Sequence, residues 1–311
     1  GKDLIEEVPY MRCSLKDKSN WDKLDWDDGV IVQLKADGMF CNAYYEDGHW
    51  LFRSRNGSSF PLGSFEGIES DLDKSSFSSD KVISGELVIY ENGFLMERSK
   101  GNGLLNSLLQ NGVLEDNYKV VFEVWDLYKR DFKKDKSTYL ERWNELVENL
   151  VDGDSVRLID SHTVYSPEDA MRITNEWMAQ GYEGSIVKNP KAKFKNGTSK
   201  DFIKYKVDLD VDLRITGWNE GNGKNEDTFG SLTCESKDGK FVVNVSGFTD
   251  KERQEIFDDI DSYIGKVMTV RSNGIINRDG SDIKSLFLPR FIEFRLDKDN
   301  ADTLEDIETQ F

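Results

Sequence analysis

Six β-forming runs lie between residues 30 and 207: VIVQLK, WLFRSR, KVISGELVIY, YKVVFEVWDL, EGSIVKN and DFIKYKV. Only two helical patterns interrupt them. That irregular order constrains the fold more than any other feature. A doubly wound sheet needs a helix between successive strands, so this order predicts an α+β fold built on antiparallel sheets. The first helical pattern is YLERWNELVENL, residues 139–150, where Leu140, Trp143, Val147 and Leu150 fall on one face. The second runs from about 167 to 180. There Ser166 suits the N-cap, Pro167 the first helical position and Gly181 the place just past the end.

After about residue 209 the pattern changes. DVDLRITGW, SLTCES, KFVVNVSGF, GKVMTVRSNGII and a run near Phe291 read as five short strands. One helix joins them, opened by Thr249 and Glu252 as a capping box, with Ile256, Phe257 and Ile260 facing inward. Five strands and a helix in this length predict an OB-type β-barrel. The expected domains are 1–208 and 209–311. No Pro/Ser-rich linker lies between them, so the connection is expected to be short and hinge-like. No run of 18 apolar residues exists, which excludes a spanning helix. The opening GKDLIEEVPY has no secretory pattern. Three scattered cysteines, Cys13, Cys41 and Cys234, suit a reducing compartment.

The formal charge is −18, which argues against a polyanion partner for the chain as a whole. The distribution is uneven, however. Residues 188–206, KNPKAKFKNGTSKDFIKYK, hold seven lysines and one aspartate. Exposed charges more than about 10 Å apart are largely screened at ~0.1 M salt, so a basic strip on an acidic body can still hold phosphate. Its plain reading is a solvated loop.

Strand alternation sorts the chemistry. Gln33 and Lys35 share one face of VIVQLK, Lys204 and Lys206 one face of FIKYKV, and Glu123 and Trp125 one face of VVFEVWDL. Glu86 sits in the apolar run VISGELVIY, and Glu183 just before a strand. Each residue alone reads as a strand-end or edge residue; together they suggest one polar cleft. A lysine nucleophile must lose its proton against an ordinary pKa of about 10.4, helped by nearby cations or desolvation. Lys204 and Lys206 are placed to help and to hold phosphate. Glu86 and Glu183 suit ribose hydroxyls or Mg²⁺, Trp125 or Phe122 suits stacking on a base, and Arg55 suits a phosphate. This set describes nucleotidyl transfer, with lysine attacking an α-phosphorus. No GxxxxGK[ST] loop is present.

The motifs resemble those of covalent nucleotidyltransferases. Lys35-Ala36-Asp37-Gly38 matches the KxDG signature, and Ser54-Arg55-Asn56-Gly57, Gly85-Glu86-Leu87 and Val124-Trp125-Asp126 follow in the family's order. Glu183-Gly184 with Val187-Lys188, then Lys204-Tyr205-Lys206, then Arg295-Leu296-Asp297-Lys298 complete the series. QLKADG, VWDL, YKVDLDVDL, LFLP and RLDK are most similar to phage-type ATP-dependent DNA ligases of minimal, two-domain form. The resemblance implies ATP and Mg²⁺ as cofactors, with Mn²⁺ as a substitute, and nicked double-stranded DNA as partner. It implies a monomer working in the cytoplasm of a bacterial or phage-infected cell. By likeness, Lys35 takes AMP and passes it to the nick 5′-phosphate, which the 3′-hydroxyl then attacks. Asp37 and Gly38 belong to the nucleotide site. Gln33 reads the adenine edge, Trp125 stacks on it and Glu86 holds the ribose. Arg55 contacts nucleotide and nick phosphate, Glu183 and Glu86 bind metal, and Lys204 and Lys206 hold the α-phosphate. Arg295, Asp297 and Lys298 orient pyrophosphate when the OB domain closes.

The resemblance breaks at Phe40, where ligases of this group commonly carry arginine, and Asn42 follows. Asn-Phe near this site is a trait of RNA ligases. RNA ligase or GTP-dependent capping chemistry is therefore the alternative, and an inactive nucleic-acid-binding module the alternative of another class. MERSKGNG, residues 96–103, reads as an ordinary loop, or as a DNA-backbone contact through Arg98 and Lys100. Lys193 and Lys195 of the basic strip are expected to contact phosphates flanking the nick.

Overall fold

The structure, a computed structural model, describes residues 8–278 and 280–310. The chain divides into two units, Gly1–Ser166 with Trp177–Tyr205, and Pro167–Glu176 with Lys206–Phe311.

The first unit is built on two sheets. One has five strands in the order Met11–Leu15, Gly197–Tyr205, Ser185–Lys188, Val30–Leu34, Ser161–Val164. The other runs His49–Ser54, Met39–Glu46, Lys81–Glu91, Tyr118–Lys129, Val156–Leu158, with Phe94–Leu95 paired to the long Lys81–Glu91 strand. Pairing is antiparallel except Met11–Leu15 on Gly197–Tyr205 and Tyr118–Lys129 on Val156–Leu158. All six strand runs expected in this region form. The strands Met11–Leu15 and Met39–Glu46 were not expected. Polar residues interrupt both (Arg12 and Ser14; Asn42 and Glu46), which blurs the apolar signal.

The main core lies on one face of the second sheet. There Phe122, Leu87, Ile89 and Leu127 pack with Ile68 and Leu72 of helix Glu66–Asp73, Leu105 and Leu108 of helix Arg98–Asn111, and Leu146 of helix Tyr139–Asn149. The last helix carries a Thr138/Glu141 capping box, but its buried face differs from the expected one. Leu140 and Val147 are 43% and 44% exposed, while Tyr139, Arg142 and Leu146 are buried. Arg142 causes the rotation. Its guanidinium pairs with buried Asp126 at 2.9 Å and donates to the Ser137 and Ala192 carbonyls. A buried charge left unpaired is very costly, so this ion pair sets the helix phase.

The segment 96–103 is not a loop. It enters helix Arg98–Asn111, which ends on Gly112 in the left-handed conformation. Two glycines, Gly101 and Gly103, hid it from periodicity.

The second unit carries a five-stranded antiparallel sheet in the order Val242–Val245, Phe229–Glu235, Leu209–Glu220, Val267–Ser272, Arg290–Phe294. Its edge strands meet at an isolated Ser246–Arg290 bridge, where the Phe291 N–H donates to the Ser246 carbonyl at 2.9 Å. The sheet therefore curls toward a barrel without a closing ladder. Helix Asp250–Asp258 starts at the Thr249/Glu252 capping box, and Ile256 is buried.

Candidate active site

Both sheets of the first unit line one cleft of about 260 Å³. The strand Val30–Leu34 delivers Lys35 to it. Gln33 and Lys35 lie on the same side, as alternation requires, and the Lys35 N–H donates to the Gly184 carbonyl at 3.3 Å. The chain then turns through Ala36-Asp37-Gly38 into the second sheet. Gly38 is required there: a Cβ would stand 2.2 Å from the Leu87 carbonyl oxygen. Asn102 of helix Arg98–Asn111 braces the same turn, donating to the Gly38 carbonyl at 3.4 Å.

One end of the cleft is dry and tightly wired. Gln33, Tyr139 and Lys188 are 1%, 0% and 2% exposed. The Tyr139 hydroxyl donates to the Trp125 carbonyl at 2.5 Å. With its proton committed, its oxygen accepts from Gln33 Nε2 at 2.7 Å and from Lys188 Nζ at 3.3 Å. This fixes which way the Gln33 amide faces. Its Oε1 is left buried with no partner among the described residues, and such an acceptor awaits a donor from a ligand. Lys188 lies over three rings, 4.4 Å from Phe202, 4.6 Å from Tyr139 and 5.6 Å from Trp125. Burial pushes its ammonium down to about 7, partly countered by Asp126.

The other end is open and cationic. Arg12, Arg55, Arg98 and Lys204 line it, all exposed. None of the four has a carboxylate partner among the described residues. Arg55 lies 5.1 Å over the Tyr10 ring. The Lys35 ammonium is in contact with the Glu183 carboxylate. Glu86 stands at the junction of the two ends. Burial pushes its carboxyl up to about 8, against the Gly38 N–H, Arg98 and Lys35, which act the other way, while Asp37 adds to the rise. Burial and Glu183 likewise raise Asp37.

Lys35, Arg55, Lys204, Gln33, Glu86 and Trp125 thus meet at one cleft, with Asp37, Gly38 and Glu183 beside them. Phe122 does not join them. It is wholly buried in the core and packs on Phe52, so it is removed as a stacking candidate. Phe40 packs on Tyr10 at 4.2 Å and lies 6.2 Å from Trp125, making an apolar wall. Arg98 lines the cleft itself, whereas Lys100 is exposed on the same helix. Lys206, Arg295, Asp297 and Lys298 belong to the second unit. There Arg295 pairs with Asp212 at 3.3 Å and Asp297 at 3.2 Å, and Lys298 with Asp212 at 2.7 Å and Asp302 at 3.2 Å. Sequence reasoning missed Tyr139, and it named Lys188 in a family motif and in the basic strip without giving it a role. The available signal was a lysine ending the apolar run SIVK, too long a cation to bury without a use.

The architecture and this cleft define a nucleotidyltransferase joined to an OB-like unit. Residues 18–206 match the ATP dependent DNA ligase domain family, and residues 220–295 match the DNA ligase OB-like domain family. The DNA ligases of Enterobacteria phages T4 and T6 are each 30% identical to this chain, over 98% of it and 72% of their own length. The bacteriophage T7 ATP-dependent DNA ligase in complex with ATP shares the fold, with a TM-score of 0.52 and 19% identity over 94% of this chain and 99% of that one. The ligase domain of M. tuberculosis LigD superposes with a TM-score of 0.50 and 17% identity, over 95% of this chain and 97% of that one. The chain belongs to the ATP-dependent DNA ligase family. It is a DNA ligase that uses ATP to seal nicks, by the lysyl-AMP route typical of that family.

Proposed function

We propose that the cleft binds ATP with its base at the dry end and its phosphates among the open cations, and that Lys35 is the nucleophile. The observation that carries this reading is the orphaned Gln33 Oε1, beside Trp125 and on the same side of the strand as Lys35. An acceptor held in place by Tyr139 suits the exocyclic amine of adenine. It leaves the carbonyl of guanine facing a lone pair, which disfavours GTP and capping chemistry. Lys188 offers the neighbouring donor for a ring nitrogen, and Trp125 the apolar face. Glu86, whose carboxyl burial pushes up to about 8, donates to a ribose hydroxyl while protonated and accepts from one when ionised, the form in which it can also hold a cation.

Lys35 Nζ attacks the α-phosphorus. The N–P bond forms, the bond to pyrophosphate breaks, and the ammonium proton has a receiver in the Glu183 carboxylate it touches. Arg55 and Lys204 stabilise charge on the α-phosphate oxygens, and Lys206 is assigned the same task. Arg55 later holds the 5′-phosphate of the nick. Among the described residues no cluster of three protein ligands exists for a metal. Glu183 nonetheless raises the carboxyl of Asp37, and Asp37 that of Glu86. Such crowding fits Mg²⁺ held by one or two carboxylates and substrate phosphates, with Glu183 and Glu86 as its protein ligands. Mg²⁺ would supply charge neutralisation at the phosphates.

The substrate is a 5′-phosphate/3′-hydroxyl nick in duplex DNA, and the working form a monomer in the cytoplasm. Incubation with ATP, Mg²⁺ and a 5′-labelled nicked duplex tests the sequence of steps. AMP-capped DNA should appear before sealed product and accumulate when the 3′ terminus is dideoxy. Sealed product without any capped intermediate would overturn it, as would a preference for nicked RNA over nicked DNA.

A further inference from the structure

The stretch KRDFKKDK, residues 129–136, takes no part in the cleft. It carries five cations and two carboxylates in eight residues, in a chain of formal charge −18. The fold turns its positive charge outward. Asp135 is buried, its carboxylate accepting from the Lys129 and Ser137 N–H groups at 2.9 Å each. It shapes the turn and does not neutralise the surface. Phe132 packs against Phe194 at 5.8 Å, and Phe194 stacks on Tyr128 at 3.9 Å. This aromatic wedge clamps KAKFK, residues 191–195, beside the turn. Ala192 is buried and Phe194 half-buried, while Lys193 and Lys195 are exposed. Lys193 joins the two segments: its backbone bridges to Thr138, and its Nζ donates to the Lys136 carbonyl at 2.6 Å. Lys129, Lys133, Lys134 and Lys136 are exposed with them. The nearby carboxylates are Asp131 on Lys134 (3.5 Å), Glu46 on Arg130 (2.7 Å), Asp80, and Glu141, which caps the helix at Thr138. The six lysines and Arg130 outnumber them.

We propose that this ridge is a second phosphate track, binding the backbone of duplex DNA on one side of the nick, apart from the reacting phosphates. The proposal rests on reading the cleft as a nick-sealing site. Mobile lysines suit backbone contacts that position without reading sequence. The ridge's distance from the cleft sets its reach. Lys129 lies four residues along the same strand from Trp125, about 13 Å at ~3.3 Å per residue. Duplex DNA spaces phosphates ~3.4 Å apart along the axis on each strand. Whatever the angle between strand and DNA axis, the track therefore begins within about four base pairs of the cleft.

The test uses the full chain with Lys133→Gln, Lys134→Gln and Lys136→Gln combined. Affinity is measured for a nicked duplex ending in a dideoxy nucleotide, which cannot be sealed, with each arm trimmed in turn and salt varied. Self-adenylylation with ATP should stay at the wild-type rate, showing an intact cleft. Wild-type affinity should fall when one arm, and only that arm, is shortened until it no longer spans the ridge. The variant should bind the long duplex as weakly as the wild type binds the trimmed one. Its log-affinity against log-salt slope should flatten by about 0.9 for each phosphate no longer neutralised. An unchanged slope, or a loss equal for all arm lengths, overturns the proposal, because diffuse attraction has no register. If the triple variant fails to self-adenylylate, Lys133→Glu alone carries the same measurement. A wild type that neither self-adenylylates nor binds the nick would sink the cleft reading, a separate outcome.

Discussion

The two ends of the cleft solve opposite problems. At the end proposed for the base, Gln33, Tyr139 and Lys188 are buried and wired to the Trp125 backbone, and a single acceptor is left over. At the end proposed for the phosphates, Arg12, Arg55, Arg98 and Lys204 are exposed and unpaired by carboxylates among the described residues. A base is read by fixed hydrogen-bond geometry, so that end is preformed. Phosphates arrive, react and leave, so that end keeps its charge available. On the proposed reading, selectivity and rate reside in different residues, and they should separate under mutation.

The largest effect is expected at the open end. Lys204→Ala should lower the rate constant of self-adenylylation by roughly 10²–10³-fold, with little change in KM for ATP. Quench-flow with labelled ATP measures both; a change confined to KM would put Lys204 in ground-state binding. Next, Gln33→Leu should shrink the ATP-over-GTP preference by roughly 10–100-fold, since a base amine would lose its buried acceptor. An unchanged preference would mean that Oε1 does not face the base. Tyr139→Phe should do the same more weakly, by up to about 10-fold, because it only frees the Gln33 amide to turn over. Its adenylylation rate at saturating ATP should hold; a large loss of rate would couple the two ends.

The smallest effect is a pH dependence of stability. Lys188 titrates near 7 in the fold, down from an ordinary 10.5 because of burial. Between those values the unfolded chain holds more protons, so stability rises with pH through that window. The cost of charging Lys188 is fully present below about pH 7 and gone above 10.5. Lys188→Met should therefore raise the melting temperature at pH 6 relative to the parent, and the gain should fade by pH 10. A gain independent of pH would mean that the ammonium is not desolvated.

Much of this was legible in the sequence, for a physical reason. Gln33, Lys35, Glu86, Trp125 and Lys204 interrupt apolar strands with period-two regularity, and that pattern places polar groups on one face. Tyr139 was not legible as part of the site, because a tyrosine opening a helix reads as core, and its role comes from a hydrogen bond with Gln33, 106 residues away. The helix after Met96 was hidden by its glycines, and the buried face of Tyr139–Asn149 by the Arg142–Asp126 pair. The first is a local effect of composition, and the second depends on a pairing between a helix and a strand. The ridge at 129–136 did not stand out from the strip at 188–206, and its junction with Lys193 needed the fold.

The most direct measurement is the intact mass of the protein after incubation with ATP or GTP and Mg²⁺, for the parent and Lys35→Ala. The account predicts a gain of one AMP from ATP alone, absent in Lys35→Ala and discharged by nicked duplex DNA as sealed product appears. An AMP adduct that survives Lys35→Ala, or a GMP adduct of equal yield, would contradict it.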